Sequence, residues 1–309
     1  AYLDKKGTLS SALKNIKEPA PDERPPVGRM VNDVRAVLED TLENARGKLA
    51  RAAREEQLAR EVIDVTLPAR KAPLGHRHPS AAVMEEMERI FMDMGYKTTD
   101  SPEVEYDYYN FEALNVPSDH PVRDEQNAFY ISDRILLRTQ TAPVQIRIME
   151  HQKPPIRVIA PGRVFHSAEA GTMCSPSSHQ IEVVAIDRDI TFSDLKGTLD
   201  EFMKALFGTD IKWKFYPHHY PFAKPGAQAD TICFKCGGKG CRLCRGRGWI
   251  KILGGGMIHP SVLKVGGIDP EEYSGFAFGI DLERVAMVKY EIDDMRLFYE
   301  NDIRFLQQF

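Results

Sequence analysis

Four of the five cysteines fall inside one twelve-residue stretch, CFKCGGKGCRLC, in which Cys233 and Cys236 form one CxxC pair and Cys241 and Cys244 a second. Each pair can bring two thiolates to one side of a tight turn, and the glycines between the pairs let the backbone double back. Four thiolates at this spacing make a tetrahedral zinc site. Protein fills all four positions, so the Zn2+ is structural and leaves no place for water or substrate. The competing reading is four unliganded thiols in a glycine-rich hairpin. Cys174 stands alone and reads as a packing residue. Gly254, Gly255 and Gly256 lack the Lys-Ser/Thr of a Walker loop and the spacing of a dinucleotide fingerprint, which leaves close backbone packing or a pocket wall. The histidines have no HExxH spacing, and neither Asp119-His120 nor Ser178-His179 is a specific nucleophilic arrangement.

The elements that must position these residues fall into two regimes. A long helix is predicted from about Val27 to Val62, where Val27, Met30, Val34, Leu38, Leu42 and Leu49 recur at three- and four-residue steps. With the segment before the proline-rich hinge EPAPDERPP it makes an antiparallel helical pair or arm over residues 1–63, either packed on its own domain or protruding toward a partner or nucleic acid. Arg46, Lys48, Arg51, Arg54 and Arg60 on that arm could meet phosphates, and Glu43, Glu55, Glu56 and Glu61 dilute the signal. From residue 64 to 309 helix and strand patterns mix. Helices are predicted over Ser80–Met94 and Ser193–Phe207, and strands over Val144–Ile148, Ile156–Ile159, from Ile181, and around KWKFY and WIKIL. Without a regular βαβ repeat, this predicts an α+β domain on a largely antiparallel sheet, with the metal hairpin inserted at 231–249.

Composition bounds the partners. A formal charge of −4 argues against a globally basic nucleic-acid binder, while local Arg and Lys patches remain able to meet RNA. No apolar run approaches the ~20 residues that span a bilayer, and no apolar secretory core opens the chain. With paired thiols, this predicts a cytoplasmic protein that has no membrane partner and uses its cysteines for metal. Opening on Ala1, the chain is expected to be a processed or trimmed form.

Ordered segments along the chain add a family resemblance. Among them are YLDKKG, HRHPSAAVMEEMERIFMDMGY, LLRTQTAPVQIR, PGRVF, DITFSDLKGTLDEFM, GGMIHPSVLKVGGIDPEEYSGFAFGIDLER and IDDMRLFYENDIRFLQQF. From Tyr2 to Phe309 the chain resembles the alpha subunit of bacterial phenylalanyl-tRNA synthetase, without the beginning of its coiled-coil arm. The resemblance implies a class II aminoacyl-tRNA synthetase catalytic fold, an antiparallel sheet flanked by helices. It also implies ATP and Mg2+ as cofactors of adenylation, tRNA as a partner, and a beta subunit in an α₂β₂ assembly, at least a dimer. Some bacterial members carry the same cysteine hairpin. Residue by residue, it implies that Arg284, beside Glu283 in the third class II motif, contacts ATP phosphates. Gln180 and Glu182 form the QxE pair near the substrate amino group. Arg138, Gln140 and Gln145 keep a substrate-loop pattern, Tyr220 and Phe222 embrace the phenyl ring, and Ala142 and Ala277 belong to the substrate pocket.

The resemblance also shows departures. His166 stands where the second motif has its phosphate-binding arginine, Ala168 where an acid is usual, and Met173 or Cys174 where a histidine is usual. Ser178 replaces the adenine-stacking phenylalanine. Tyr216 replaces Arg, Lys224, Gln228 and Lys251 each replace Glu, Asp281 and Val183 replace Gly, and Ala142 replaces Ser. Histidine near neutral pH supplies neither the permanent charge nor the donor fork of arginine. These changes predict an adenylation site that has been rebuilt or lost. The other readings are an active phenylalanine–tRNA ligase, an enzyme activating another carboxylic acid, and a non-catalytic tRNA- or protein-binding regulator.

Overall fold

The computed structural model describes residues 7–15, 24–61, Asp64, Thr66, 75–125 and 127–309. It divides into two compact units, one through Pro73 and one from Leu74. The proline-rich hinge before Arg24 and most of the VTLPAR segment lie outside the described residues.

The first unit holds α1 (Thr8–Lys14) and α2 (Arg24–Arg60). With 37 residues, α2 is about 55 Å long. Its apolar stripe is largely open to solvent, with Met30, Val34, Leu38, Leu42 and Leu49 all exposed. Pairs one turn apart, Arg35–Glu39 at 2.9 Å and Arg60–Glu56 at 2.6 Å, add a few tenths of a kcal/mol each.

The second unit begins with α3 (Pro79–Asp93), where the His78 ring accepts from Ser80 N–H and Pro79 takes the first helical position. Gly95 follows at φ +88, a left-handed conformation that suits glycine just past a helix end. Next come β1 (Lys97–Thr98), β2 (Val104–Tyr106), α4 (Asp107–Asn110), α5 (Val122–Glu125), β3 (Phe129–Ser132) and β4 (Ile135–Leu137). Then follow α6 (Pro143–His151), β5 (Ile156–Phe165), β6 (Ser177–Asp187), α7 (Phe192–Phe207), β7 (Trp213–Pro217), β8 (Ala223–Ile232) and β9 (Trp249–Ile258). The chain closes with α8 (Pro260–Val265), β10 (Ser274–Asp281), α9 (Leu282–Tyr290) and α10 (Ile303–Leu306). Among the described residues, no helix is long and apolar enough to cross a membrane.

Seven strands form the main sheet in the order β1-β5-β6-β10-β9-β8-β7, and β2-β4-β3 form a second. The α+β expectation holds, but the main sheet is mixed: its edge strand β1 runs parallel to β5 while the other pairs are antiparallel. The strand expected over Val144–Ile148 is a second correction, because those residues lie inside α6. Five alternating residues fit either period. Pro143 at the helix start, with Val144, Gln145, Ile148 and Met149 all buried, decides for the helix.

Alternation along the central strands buries both faces of the sheet. Ile181, Val183 and Ala185 of β6 join the core with α3, α7 and α9, while Val184 and Ile186 join the core with α6 and α8. The same parity places Gln180 and Glu182 on the α6 face. That placement positions the site.

Candidate functional site

Sheet register assembles the site from strands far apart in sequence. Glu182 on β6 lies opposite Gly279 on β10, which lies opposite Gly254 on β9. Gly254 in turn lies opposite Gln228 on β8, and Gln228 opposite Tyr216 on β7. In the adjacent row Gln180 faces Asp281. The two glycines keep the floor of the row low. A Cβ at Gly254 would collide with the Tyr220 phenol, and one at Gly279 would sit 3.2 Å from Glu182 Oε2.

An inner cavity of about 90 Å³ lies over this row, walled by Gln140, Ala142, Gln180, Glu182, Tyr220, Phe222, Lys251 and Asp281. An outer cavity of about 200 Å³ shares Gln180 and Asp281 and is lined by His166, Ser178, Glu283 and Arg284, with Met173 and Cys174. The structure therefore gathers most of the residues singled out in the sequence. Others stand elsewhere, Ala277, Gln228 and Arg138 among them. Ala277 is packed in the core shared with α6 and α8. Gln228 is buried under the aromatic wall, donating to the Tyr216 hydroxyl at 2.5 Å and to Asp230 at 2.7 Å, and accepting from Tyr220 at 3.4 Å. Arg138 is buried against Gly162 and bonds the Arg163 carbonyl at 2.6 Å and Ser101 Oγ at 2.6 Å, so it fastens strands instead of lining a cavity. A larger hollow of about 1070 Å³, beside the small sheet at Tyr106, Arg123 and Tyr130, contains none of these residues.

The inner cavity joins a carboxyl group to an aromatic wall. The Tyr220 and Phe222 rings stack at 5.4 Å and 22°. Glu182 is fully enclosed and accepts from Gln145 Nε2 at 2.7 Å and Thr141 Oγ1 at 3.3 Å. Burial pushes its carboxyl up to about 7, against the pull of those two hydrogen bonds. Gln140 is steadied by donating to the Asn110 carbonyl at 3.2 Å. A cation entering beside Glu182 would meet a carboxyl group that needs one.

Between the cavities Asp281 pairs with Arg284 at 3.0 Å and accepts from Gln180 Nε2 at 2.9 Å. Burial works to raise its carboxyl, but Arg284, Lys251, the Gln180 amide and His166 together hold it below the ordinary range. On the outer side, buried Glu283 accepts the His179 backbone N–H at 2.9 Å, pairs with His179 Nδ1 at 2.7 Å and accepts from the Tyr299 hydroxyl at 2.6 Å. This clamp ties β6 and α9 to the segment beyond α9. Sequence reading missed Tyr299 and Thr141 because no local signal marks either one.

The cysteine hairpin brings its four sulfurs within 4.8 Å of one another. Cys233–Cys241 and Cys236–Cys244 are 3.8 Å apart and Cys241–Cys244 3.7 Å. Backbone N–H groups of Gly240 and Gly248 point at Cys236 Sγ and Cys244 Sγ, at 3.3 and 3.1 Å. Both glycines are left-handed, φ +91 and +73, and a side chain on either would strike the backbone of Gly246 or Gly238. Burial opposes ionisation of the Cys244 thiol, but the N–H groups of Cys241 and Gly248 outweigh it and bring it down to about 6.

With that geometry in view, the comparisons decide the family. Residues 62–309 match the model of the tRNA synthetases class II core domain (F), and residues 1–58 match the aminoacyl tRNA synthetase class II N-terminal domain. Relatives named phenylalanine--tRNA ligase alpha subunit are 61% identical in Lachnoclostridium phytofermentans, 54% in Clostridium perfringens and 53% in Acetivibrio thermocellus. Each alignment covers 100% of this chain and 91% of the relative. The chain belongs to the phenylalanine–tRNA ligase alpha-subunit family.

That finding overturns the expectation of a rebuilt or degraded adenylation site. Alignments at 50% to 61% identity cover the full chain, to relatives named as the ligase subunit itself. The structure places a carboxylate between the two cavities. The carboxylates absent at 228 and 251 are set against one present at Asp281, which Arg284, Gln180 and Lys251 all favour. Gln228 keeps a full set of partners, and the outer cavity remains open beside His166 and Ser178.

Proposed function

We propose that this chain is a working alpha subunit of a phenylalanine–tRNA ligase. The carrying observation is the cross-strand row that sets Glu182 and Gln180 beside the stacked Tyr220–Phe222 pair. Glu182 and Gln180 hold the substrate ammonium, the two rings embrace the phenyl group, and Gln140 and Ala142 close the inner cavity. The carboxylate then points toward the outer cavity, where Arg284 and His166 meet the phosphates and Ser178 borders the nucleotide. A carboxylate oxygen attacks the α-phosphorus of ATP and pyrophosphate leaves. A hydroxyl of the terminal tRNA ribose then attacks the acyl carbon and AMP leaves. Arg284 contributes a permanent charge in fork geometry, and holding both reactants in line supplies much of the acceleration. Magnesium would come with ATP as counter-ion to its phosphates. The outer-cavity carboxylates Asp281 and Glu283 already have protein donors and do not form a cage of their own.

The four hairpin sulfurs fit zinc. Tetrahedral Zn–S bonds of about 2.3 Å put sulfurs about 3.8 Å apart, and the pairs above stand at 3.7 and 3.8 Å. The ion would fold the hairpin and hold no substrate. The assembly is at least a dimer with a beta subunit. Residues 1–63 form a tRNA-binding arm and 64–309 the catalytic domain, and the protein works in the cytoplasm.

Amino-acid-dependent ATP–pyrophosphate exchange, measured on the chain co-purified with its partner subunit, tests the reading across all twenty amino acids. Exchange with phenylalanine is expected. Silence with phenylalanine in a folded, zinc-replete assembly would overturn it.

A further inference from the structure

The hairpin from Thr231 to Trp249 carries Lys235, Lys239, Arg242, Arg245 and Arg247 and no Asp or Glu, in a chain whose net charge is −4. Four thiolates around one divalent ion leave two negative charges, so metal balance accounts for two of the five cations. Lys235 is matched by Asp293. Lys239, Arg242, Arg245 and Arg247 are exposed, and among the described residues none of them forms an ion pair. Unpaired cations on a small, metal-braced platform repel one another, a cost that an anionic partner would relieve.

The platform also stands close to the site. Trp249, at its base, is two residues along β9 from Lys251 in the inner cavity wall, roughly 7 Å. Arg247 lies near enough to the Tyr216 hydroxyl to favour its ionised form, and Tyr216 bonds Gln228 in the cross-strand row. The exposed large hydrophobic residues of the protein include none from the hairpin. A protein partner buries an apolar centre, whereas a polyanion needs only charge and donors. Arginine forks suit phosphate oxygens in particular.

We propose that the zinc hairpin is an RNA-backbone clamp: Lys239, Arg242, Arg245 and Arg247 grip phosphodiesters of the tRNA beside the mouth of the pocket. The proposal rests on the ligase reading for the identity of the RNA, but its test is separable. Phosphate contacts carry no sequence information, so the clamp positions the acceptor strand and leaves its identity to be read elsewhere.

Binding of a transcribed tRNA bearing the phenylalanine anticodon should be measured by filter retention from 50 to 300 mM salt, using the full chain in its native assembly. The triple variant R242Q/R245Q/R247Q is expected to bind at least tenfold more weakly at 100 mM salt. The slope of log affinity against log salt should shrink by about 2, three phosphates at ~0.7 each. Zinc content and phenylalanine-dependent pyrophosphate exchange should stay at wild-type levels, and the charge-preserving R242K/R245K/R247K should recover most of the binding. An unchanged affinity and slope would overturn the clamp while leaving the ligase reading intact. So would an equal loss of binding to poly-glutamate, which would mark an acidic protein surface as the partner. Loss of exchange in the wild type with the RNA effect intact would overturn the ligase reading alone. If the triple variant loses zinc, Lys239→Gln decides, with a slope change of about 0.7 expected and none overturning the clamp.

Discussion

The cross-strand row and the cysteine hairpin are both candidate ligand sites, built in opposite ways. The hairpin takes its four ligands from twelve consecutive residues, and its geometry follows from CxxC turns and left-handed glycines. The cavities over the row take Gln140, Glu182, Tyr220, Lys251 and Arg284 from separate elements, and the row beneath them exists only when β6, β10, β9 and β8 are in register. A local site survives a neighbour's damage, and a distributed one inherits every fault of the fold. The row should therefore respond to distant changes and the hairpin should not.

The largest effect is expected at the clamp. Replacing Glu283 by Ala strands the His179 N–H and the Tyr299 hydroxyl and should cost roughly 3–5 kcal/mol in denaturant unfolding. A loss below 1 kcal/mol would show that the row does not depend on it. Next comes Glu182→Ala, expected to lower kcat/KM for phenylalanine in pyrophosphate exchange about 100-fold, near 2.7 kcal/mol, with folding retained. The same group sets a pH signature. Burial pushes its folded carboxyl up to about 7, above the ordinary 4.5, so the native state holds the proton more tightly than the unfolded chain does. That contribution to stability is present at low pH and is lost as pH rises from about 4.5 to 7, roughly 3 kcal/mol, and Glu182→Gln should remove it from a stability–pH profile. Conversely, an ammonium needs the ionised form, so kcat/KM for phenylalanine should fall as pH drops below about 7, up to tenfold per unit. A profile flat from pH 5.5 to 7.5 would remove Glu182 from that role.

Smaller effects are expected from the hairpin and the arm. Stripping the metal or making Cys236→Ala should raise amide exchange only across 231–249 and change pyrophosphate exchange less than about threefold, because the ion has no open position. A tenfold loss would mean that the two sites are one unit. On α2, Leu42→Glu should shift thermal stability by less than about 0.5 kcal/mol, since that side chain is already exposed.

Legibility followed the same divide. The hairpin, α2, α3 and α7 were readable because spacing within one or two turns carries the signal. The segment 144–148 was misread because V-Q-I-R-I satisfies both a strand and a helix, and only burial on the α6 face separates them. Taken one by one, the departures at Gln228, Lys251 and Asp281 predict a failing site. That Lys251 and Arg284 both favour the Asp281 carboxylate follows only from β9, β10 and α9 lying side by side.

By itself, then, the sequence determined the thiolate set, the helices α2, α3 and α7, and the family, because each is encoded in short spacings or in ordered segments. Tertiary structure alone decided that Glu182, Gly279, Gly254, Gln228 and Tyr216 form one row, that Glu283 meets Tyr299, and that Arg138 and Ala277 lie outside the cavities. The physical reason is register. A strand places alternate side chains on opposite faces, so which residues share a cavity depends on how five strands align, and that alignment is set by burying both faces of the sheet at once.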